Sequence, residues 1–221
     1  MDIETARANM IEQQIRPWQV LETQTLDALR RIRRERFVPA QHRHLAFADV
    51  QIPLPAGSAG AGEVMLEPKV GARMLEALSL GGGDRVLEIG AGSGYLVALL
   101  ASLSAHVTAV EINPQLLTLA QRNLAMAAID NITLQSGDAH AGWGEPGQFD
   151  AILISGSLPV ITEAWPAALA DGGRLVGIEG HAPAMTAVQL VKNGGRVLRE
   201  TLFETVVPRL RNVSEPDLFE F

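Results

Sequence analysis

The segment Glu88-Ile-Gly90-Ala-Gly92-Ser93-Gly94 is the stretch of this sequence best suited to chemistry. It follows a short apolar run, Arg85–Ile89, and opens a helix-forming run at Tyr95. A strand-to-helix turn of this kind lies at the carboxyl end of an α/β sheet, where such sheets bind ligands. Its glycines let the backbone turn tightly and come close to a ligand. The spacing is GxGxG, whereas dinucleotide sites use GxGxxG to seat a pyrophosphate on a helix N-terminus. Here the Glu88 carboxylate, two residues before the first glycine, would repel a pyrophosphate and attract a cation. The ammonium group of S-adenosylmethionine is such a cation, held directly or through water.

Further candidates stand at the ends of the following strands. Glu111, with Ile112 beside it, closes the run His106–Val110, where a carboxylate can accept hydrogen bonds from both hydroxyls of a ribose. Asp138 and Ala139 follow Ile132–Gln135, in reach of an exocyclic adenine amine. Ser155, in Ser155-Gly-Ser157, follows Phe149–Ile154 and lines the same mouth. Singly, each has a plain explanation: a tight turn needs glycine, and an acid at a strand end is often a solvated cap. As a set, four suitable elements end four successive strands in order, which favours a cofactor site. A nicotinamide oxidoreductase is the competing class, and the absent GxGxxG argues against it.

These residues need a frame to hold them. From Arg85 onward strand-like and helical runs alternate: helices over Tyr95–Ser102, Pro114–Ala127 and Ile161–Leu169, and a fifth strand over Arg174–Ile178 after Gly172-Gly173. Asn113 suits an N-cap and Pro114 the first helical position. Thr186–Lys192 and Arg196–Val206 flank Asn193-Gly-Gly195 as a hairpin. The alternation predicts a doubly wound, mostly parallel, seven-stranded α/β sheet with antiparallel strands at one edge. Upstream, an amphipathic helix ends at Pro17, and a second, capped by Thr23 or Thr25, carries Leu26, Leu29, Ile32 and Phe37. Arg30, Arg31, Arg33, Arg34 and Arg36 read as a solvated face of it, with an anion-binding strip as the alternative. Residues 51–63 read as a loop, either a linker or a cover for a substrate pocket, and Pro68–Leu78 as a helix. The expected organisation is residues 1–80 as N-terminal helices and a substrate-covering loop, and 81–221 as the cofactor-binding domain.

Composition narrows the classes. The chain has 221 residues, 47% hydrophobic, enough for one sizeable α/β domain with an extension. Its net charge of −7 disfavours nucleic acid as a partner. No cysteine is present, which excludes disulfides and thiolate chemistry and fits a reducing compartment. No leader-like or membrane-length apolar run occurs, so the expectation is a cytoplasmic protein off the membrane. The histidines, His42, His44, His106, His140 and His181, form no metal motif, so no metal is expected; His140 reads as a surface histidine that can alternatively face the pocket.

The stretches EIGAGSGY, VTAVEINPQLLTLAQRNL and NITLQSGDAHAGW resemble the protein-L-isoaspartate O-methyltransferase family. Phe37-Val-Pro39, Asp49–Pro55, Gly142-Trp143 and Leu169–Val176 extend the resemblance over most of the chain. It implies methyl transfer from S-adenosylmethionine to the free carboxylate of an isoaspartyl residue in a protein or peptide; separately, a monomer or dimer is expected. A carboxylate is ionised at neutral pH, so no general base is required and no catalytic residue is assigned. The resemblance also marks a departure. The family carries Thr-Ile-Ser before a glutamine–proline pair, and its serine touches the substrate carboxylate. Here Leu66, Glu67 and Pro68 occupy the corresponding loop. Leucine cannot donate a hydrogen bond, and glutamate repels a carboxylate. The expectation is an intact cofactor half, an altered substrate half, and weak activity on isoaspartyl peptides. A different acceptor and a cofactor-binding protein without catalysis are the alternatives.

Overall fold

The structure, a computed structural model, describes residues 2–55 and 62–213. Helices α1 (Ile3–Met10) and α2 (Thr23–Arg31) are followed by a small antiparallel hairpin of β1 (Ile52–Pro53) and β2 (Val64–Met65). Helix α3 (Pro68–Ala77) leads into the main sheet. Its strands are β3 (Arg85–Ile89), β4 (His106–Glu111), β5 (Ile132–Ser136), β6 (Phe149–Leu158), β7 (Leu169–His181), β8 (Ala184–Asn193) and β9 (Arg196–Glu204). Helices α4 (Tyr95–Ala101), α5 (Pro114–Met126) and α6 (Ala164–Ala167) connect the parallel strands.

The strand order is β5-β4-β3-β6-β7-β8-β9. The first five of these are mutually parallel, and β8 and β9 add antiparallel pairs at one edge. This is the expected seven-stranded, doubly wound sheet. The order reverses at β3, whose neighbours are β4 and β6, so the crevice of the fold opens at the carboxyl end of β3.

Side chains alternate across the sheet with a period of two. Val86, Ala151 and Leu153 face one core, shared with Met10, Ile15 and Leu99; Leu87, Ile89, Ile152 and Ile154 face the other, with Trp165 and Phe149. Glu88 is in register with Val86 and therefore points to the first face. Arg174 ties the end of α3 to the sheet, donating to the carbonyls of Leu78 at 2.5 Å and Ser79 at 2.7 Å and pairing with Asp84 at 2.5 Å.

Several boundaries depart from expectation. The first helix does not run regularly to Pro17: α1 loosens into a π turn over Ile11–Ile15 and a 3-10 turn over Arg16–Trp18. Helix α2 ends at Arg31 because Ile32 is extended (φ −82°, ψ 108°), so Phe37 lies beyond it, and Glu22 rather than a threonine holds its N-cap position. Segment 51–63 supplies hairpin arms as well as loop; its residues 56–61 lie outside the described residues. The helix expected over Ile161–Leu169 shrinks to α6. Strand β6 continues four residues past Ile154, so Ser155 and Ser157 sit within a strand rather than after one. Gly172-Gly173 forms an irregularity inside β7, between the pairs Phe149–Leu169 and Ala151–Arg174. No helix of the described residues is long and apolar enough to cross a membrane.

Candidate functional site

The glycine turn is anchored on its neighbours. The amide of Gly90 donates to the Val110 carbonyl at 2.9 Å, and the Ser155 hydroxyl donates to the carbonyls of Ile89 and Gly90 at 2.7 and 3.0 Å. Gly90 has φ +96°, and a Cβ there would lie 2.6 Å from Ser155 Oγ, so only glycine fits. Asn123 of α5, 4% exposed, donates to the Ser93 carbonyl at 2.9 Å and fastens that helix to the turn.

Glu111 is held from two sides. Its Oε2 accepts from the Gly92 amide and its Oε1 from the Asn113 amide, both at 2.9 Å. Asn113 caps α5 through Oδ1, which accepts from the Gln115 amide at 3.0 Å, as its position before Pro114 predicts. Each Glu111 oxygen keeps lone-pair capacity for one further donor, which suits a pair of vicinal hydroxyls.

Gly90, Gly92, Glu111, Ile112, Asp138, Ala139 and Ser155 line one cleft with about 720 Å³ of empty space. The sequence-predicted residues therefore largely converge. Glu88 lies beneath it, fully buried, and neither carboxylate oxygen has a partner. Burial, and then the nearby Glu111, push its pKa up to about 8, against a smaller opposing pull from the Ser155 hydroxyl. An orphaned acid under the turn fits an ammonium group, and Leu54, Ile112 and Leu116 offer apolar walls to an aromatic base. Gly94, at φ +84°, caps α4 and faces Leu124 and Ala120 rather than the cleft.

A smaller cavity adjoins the cleft and shares Val64, Leu66, Gly90, Gly92 and Ser155 with it. Ser93, Glu67 and Pro68 line only this second space; Leu66, 6% exposed, lines both. Glu67 Oε1 accepts from Gln51 at 3.3 Å, and its Oε2 is buried without a partner. The leucine thus stands at the junction, while the glutamate borders the side cavity.

The basic strip divides. Arg30 pairs with Asp27 at 2.9 Å and Arg33 lies 4.0 Å from Glu4, as exposed charges do. Arg34 departs from the strip: it is 2% exposed, donates to the carbonyls of Ala46 and Leu66 at 2.9 Å each, and lies over Tyr95 at 5.0 Å. Burial lowers its pKa. It lines the side cavity, a role its place in a run of arginines hides.

The C-terminal segment is the largest contribution that sequence reasoning misses. Pro208, Arg209, Leu210 and Arg211 run beside β6, joined by Ser157 N to Pro208 O at 2.9 Å and Leu210 N to Ser157 O at 3.0 Å, and they form a wall of the cleft. Arg209 donates to the Gly180 carbonyl at 2.9 Å, and Arg211 forms an ion pair with Glu63. Asn212 donates to Asp138 Oδ2 at 2.8 Å, while Asp138 Oδ1 meets His140 Nδ1 at 2.9 Å. His140 accordingly lines the cleft. The Asn212 bond, ahead of that to His140, lowers the Asp138 pKa. Trp143 lies against Gly137, a cleft residue, and its Nε1 donates to Gln135 Oε1 at 3.2 Å.

Comparison with known proteins gives a consistent set. The family described as Protein-L-isoaspartate(D-aspartate) O-methyltransferase matches residues 5–209. A protein-L-isoaspartate O-methyltransferase of Methylorubrum populi is 40% identical over 95% of this chain and 97% of its own. One of Methylorubrum extorquens is 38% identical over 96% and 91%. Among solved structures, a Plasmodium falciparum protein described under the same name, in complex with S-adenosyl-L-homocysteine, superposes with TM-score 0.77 at 18% identity. That match covers 96% of this chain and 99% of the other and shows a shared fold.

Proposed function

Because this chain belongs to the protein-L-isoaspartate O-methyltransferase family, we propose that the cleft beside Gly90 carries S-adenosylmethionine-dependent methyl transfer to the free carboxylate of an isoaspartyl residue in a protein or peptide. The bound cofactor supplies an electrophilic methyl group on sulfur. The acceptor carboxylate, ionised at neutral pH, needs no base. The chain's own residues therefore align and enclose. Glu88 receives the ammonium group of the cofactor, directly or through water. Glu111, fixed by the amides of Gly92 and Asn113, receives the ribose hydroxyls. Ile112 and Ala139 flank the base, and Ser155 holds the turn so that its backbone stays close to the ligand. Alignment of this kind can lower a barrier by roughly 7–11 kcal/mol.

The observation that carries this reading is the orphaned Glu88 carboxylate beneath a turn braced against Glu111. The lack of cysteine fits a cytoplasmic protein. Residues 1–80 act as the cover of the acceptor side, and 81–221 as the cofactor-binding part. The test is transfer of label from methyl-tritiated S-adenosylmethionine into an isoaspartyl peptide, with the aspartyl isomer as control. Calorimetry is expected to show S-adenosylhomocysteine binding that Gly92→Arg abolishes. Tight NAD binding with none for S-adenosylhomocysteine would overturn the reading.

A further inference from the structure

One ion pair in the cleft is given no direct contact with the cofactor, although both of its charges act on Glu111. Arg211, beyond β9, pairs with Glu63, just before β2, and both line the cleft together with Leu66. Their side chains are 30% and 20% exposed, so the pair sits at the mouth, partly dry and still reachable. Neither group is saturated. Glu63 Oε2 and Arg211 Nε are buried without partners, and the guanidinium reaches Glu63 through Nη2 alone. A planar guanidinium fork can bind a carboxylate through two parallel hydrogen bonds.

Donors that line the cleft with Leu66 are engaged elsewhere, while the Tyr95 hydroxyl, buried without a partner, lines only the side cavity. The leucine side chain offers none. Ser155 gives its hydroxyl hydrogen to backbone carbonyls, and Arg209 binds the Gly180 carbonyl. A carboxylate entering this partly dry cleft loses water and must find donors inside.

We propose that Arg211 receives the acceptor's carboxylate and that Glu63 is a resident carboxylate which the acceptor displaces. This rests on the isoaspartyl reading of the cleft. Exchange of one anion for another keeps the guanidinium compensated throughout, with Glu63 turning out to water. Methyl transfer then breaks the sulfur–methyl bond and forms the oxygen–methyl bond. The sulfonium becomes a neutral thioether and the carboxylate a neutral ester. The ester has lost the charge that held it, so Glu63 returns to Arg211 and the product leaves.

A passive strap predicts otherwise. Removing either partner would break the same link and move every property the same way. The test measures binding of an isoaspartyl peptide and of its carboxamide analogue to full-length protein, with S-adenosylhomocysteine present, alongside KM and kcat. Glu63→Gln is expected to tighten the carboxylate peptide about tenfold and to increase inhibition by the methyl ester product. Arg211→Gln is expected to weaken it about ten- to hundredfold, the range of a lost charged hydrogen bond, with Arg211→Lys between. The carboxamide peptide is expected to respond to neither. If Arg211→Gln misfolds, Arg211→Lys and Glu63→Gln still give opposite signs. Equal shifts of one sign in the Glu63 and Arg211 variants, with a wild type that methylates the peptide, overturn the exchange alone. A wild type that binds S-adenosylhomocysteine yet neither binds nor methylates the peptide overturns the acceptor reading as well.

Discussion

Glu88 is a side chain that weakens the fold, and in the proposed reading it also holds the cofactor. Its carboxyl is fully buried, without a partner, and its pKa is pushed up to about 8. The folded state therefore holds a proton that the unfolded state releases near its ordinary value of 4.5. Between those values the unfolded chain binds fewer protons, so stability falls as pH rises from about 4.5 to 8. Glu88→Gln is expected to remove this slope. In the cofactor-free protein at pH 8 it should raise stability by of order 1–3 kcal/mol, read from melts against pH. The same change should weaken S-adenosylhomocysteine binding in calorimetry. A variant with wild-type affinity would deny Glu88 its role. Leu66 makes the opposite case, a side chain that fits its apolar neighbours and gives a carboxylate nothing. Leu66→Ser is expected to raise kcat/KM on an isoaspartyl peptide about ten- to hundredfold, the equivalent of ~1.5–3 kcal/mol. Cofactor affinity should stay unchanged. High wild-type turnover that serine does not improve would refute the altered acceptor side. Adding Glu67→Gln is expected to contribute less, because Glu67 borders only the side cavity.

Among the elements, α5 carries more of the site than its surface-like sequence suggests. It is capped by Asn113, which also supplies an amide to Glu111, and it reaches back to Ser93 through Asn123. Asn123→Ala leaves the Ser93 carbonyl buried and unpaired, at an expected cost of ~1–3 kcal/mol in denaturant unfolding, with weaker cofactor binding. Loss of stability alone would make the bond a fastening and nothing more. The cap was readable because Asn-Pro before a helix has a local cause. Asn123 was not readable, since a buried asparagine inside a helix looks like any polar helix residue until its partner appears. The same distinction runs through the chain. Central strands β3, β4 and β6 announce themselves as apolar runs, and acids at their ends mark the ligand side. Arg34 is hidden in a run of charges, and Arg209, Arg211 and Asn212 follow the last strand with no periodicity. Their roles depend on contacts with residues far away in sequence. The early end of α2, where Ile32 turns extended, and the shortness of α6 likewise depart from what local helix propensity suggests.

At the scale of the whole molecule, one core joins the N-terminal helices to the sheet. Met10, Ile15, Leu75, Val86 and Leu99 belong to a single buried cluster, and Arg174 ties the end of α3 to the sheet. Calorimetric unfolding is expected to show one transition, and residues 81–221 expressed alone should fail to give a cooperative melt. Two separated transitions would mean that residues 1–80 fold independently. The packing of Trp143 on Gly137 carries a last consequence, an optical one. Trp165 is 1% exposed, and Trp18 lies against Phe203 at 5.6 Å, away from the residues that line the cleft. Only Trp143 has its ring against a cleft glycine, so only its emission should change in colour and yield when a purine displaces water there. The protein therefore contains its own dye: titration with S-adenosylhomocysteine should alter indole fluorescence, and Trp143→Phe should silence the signal while binding persists.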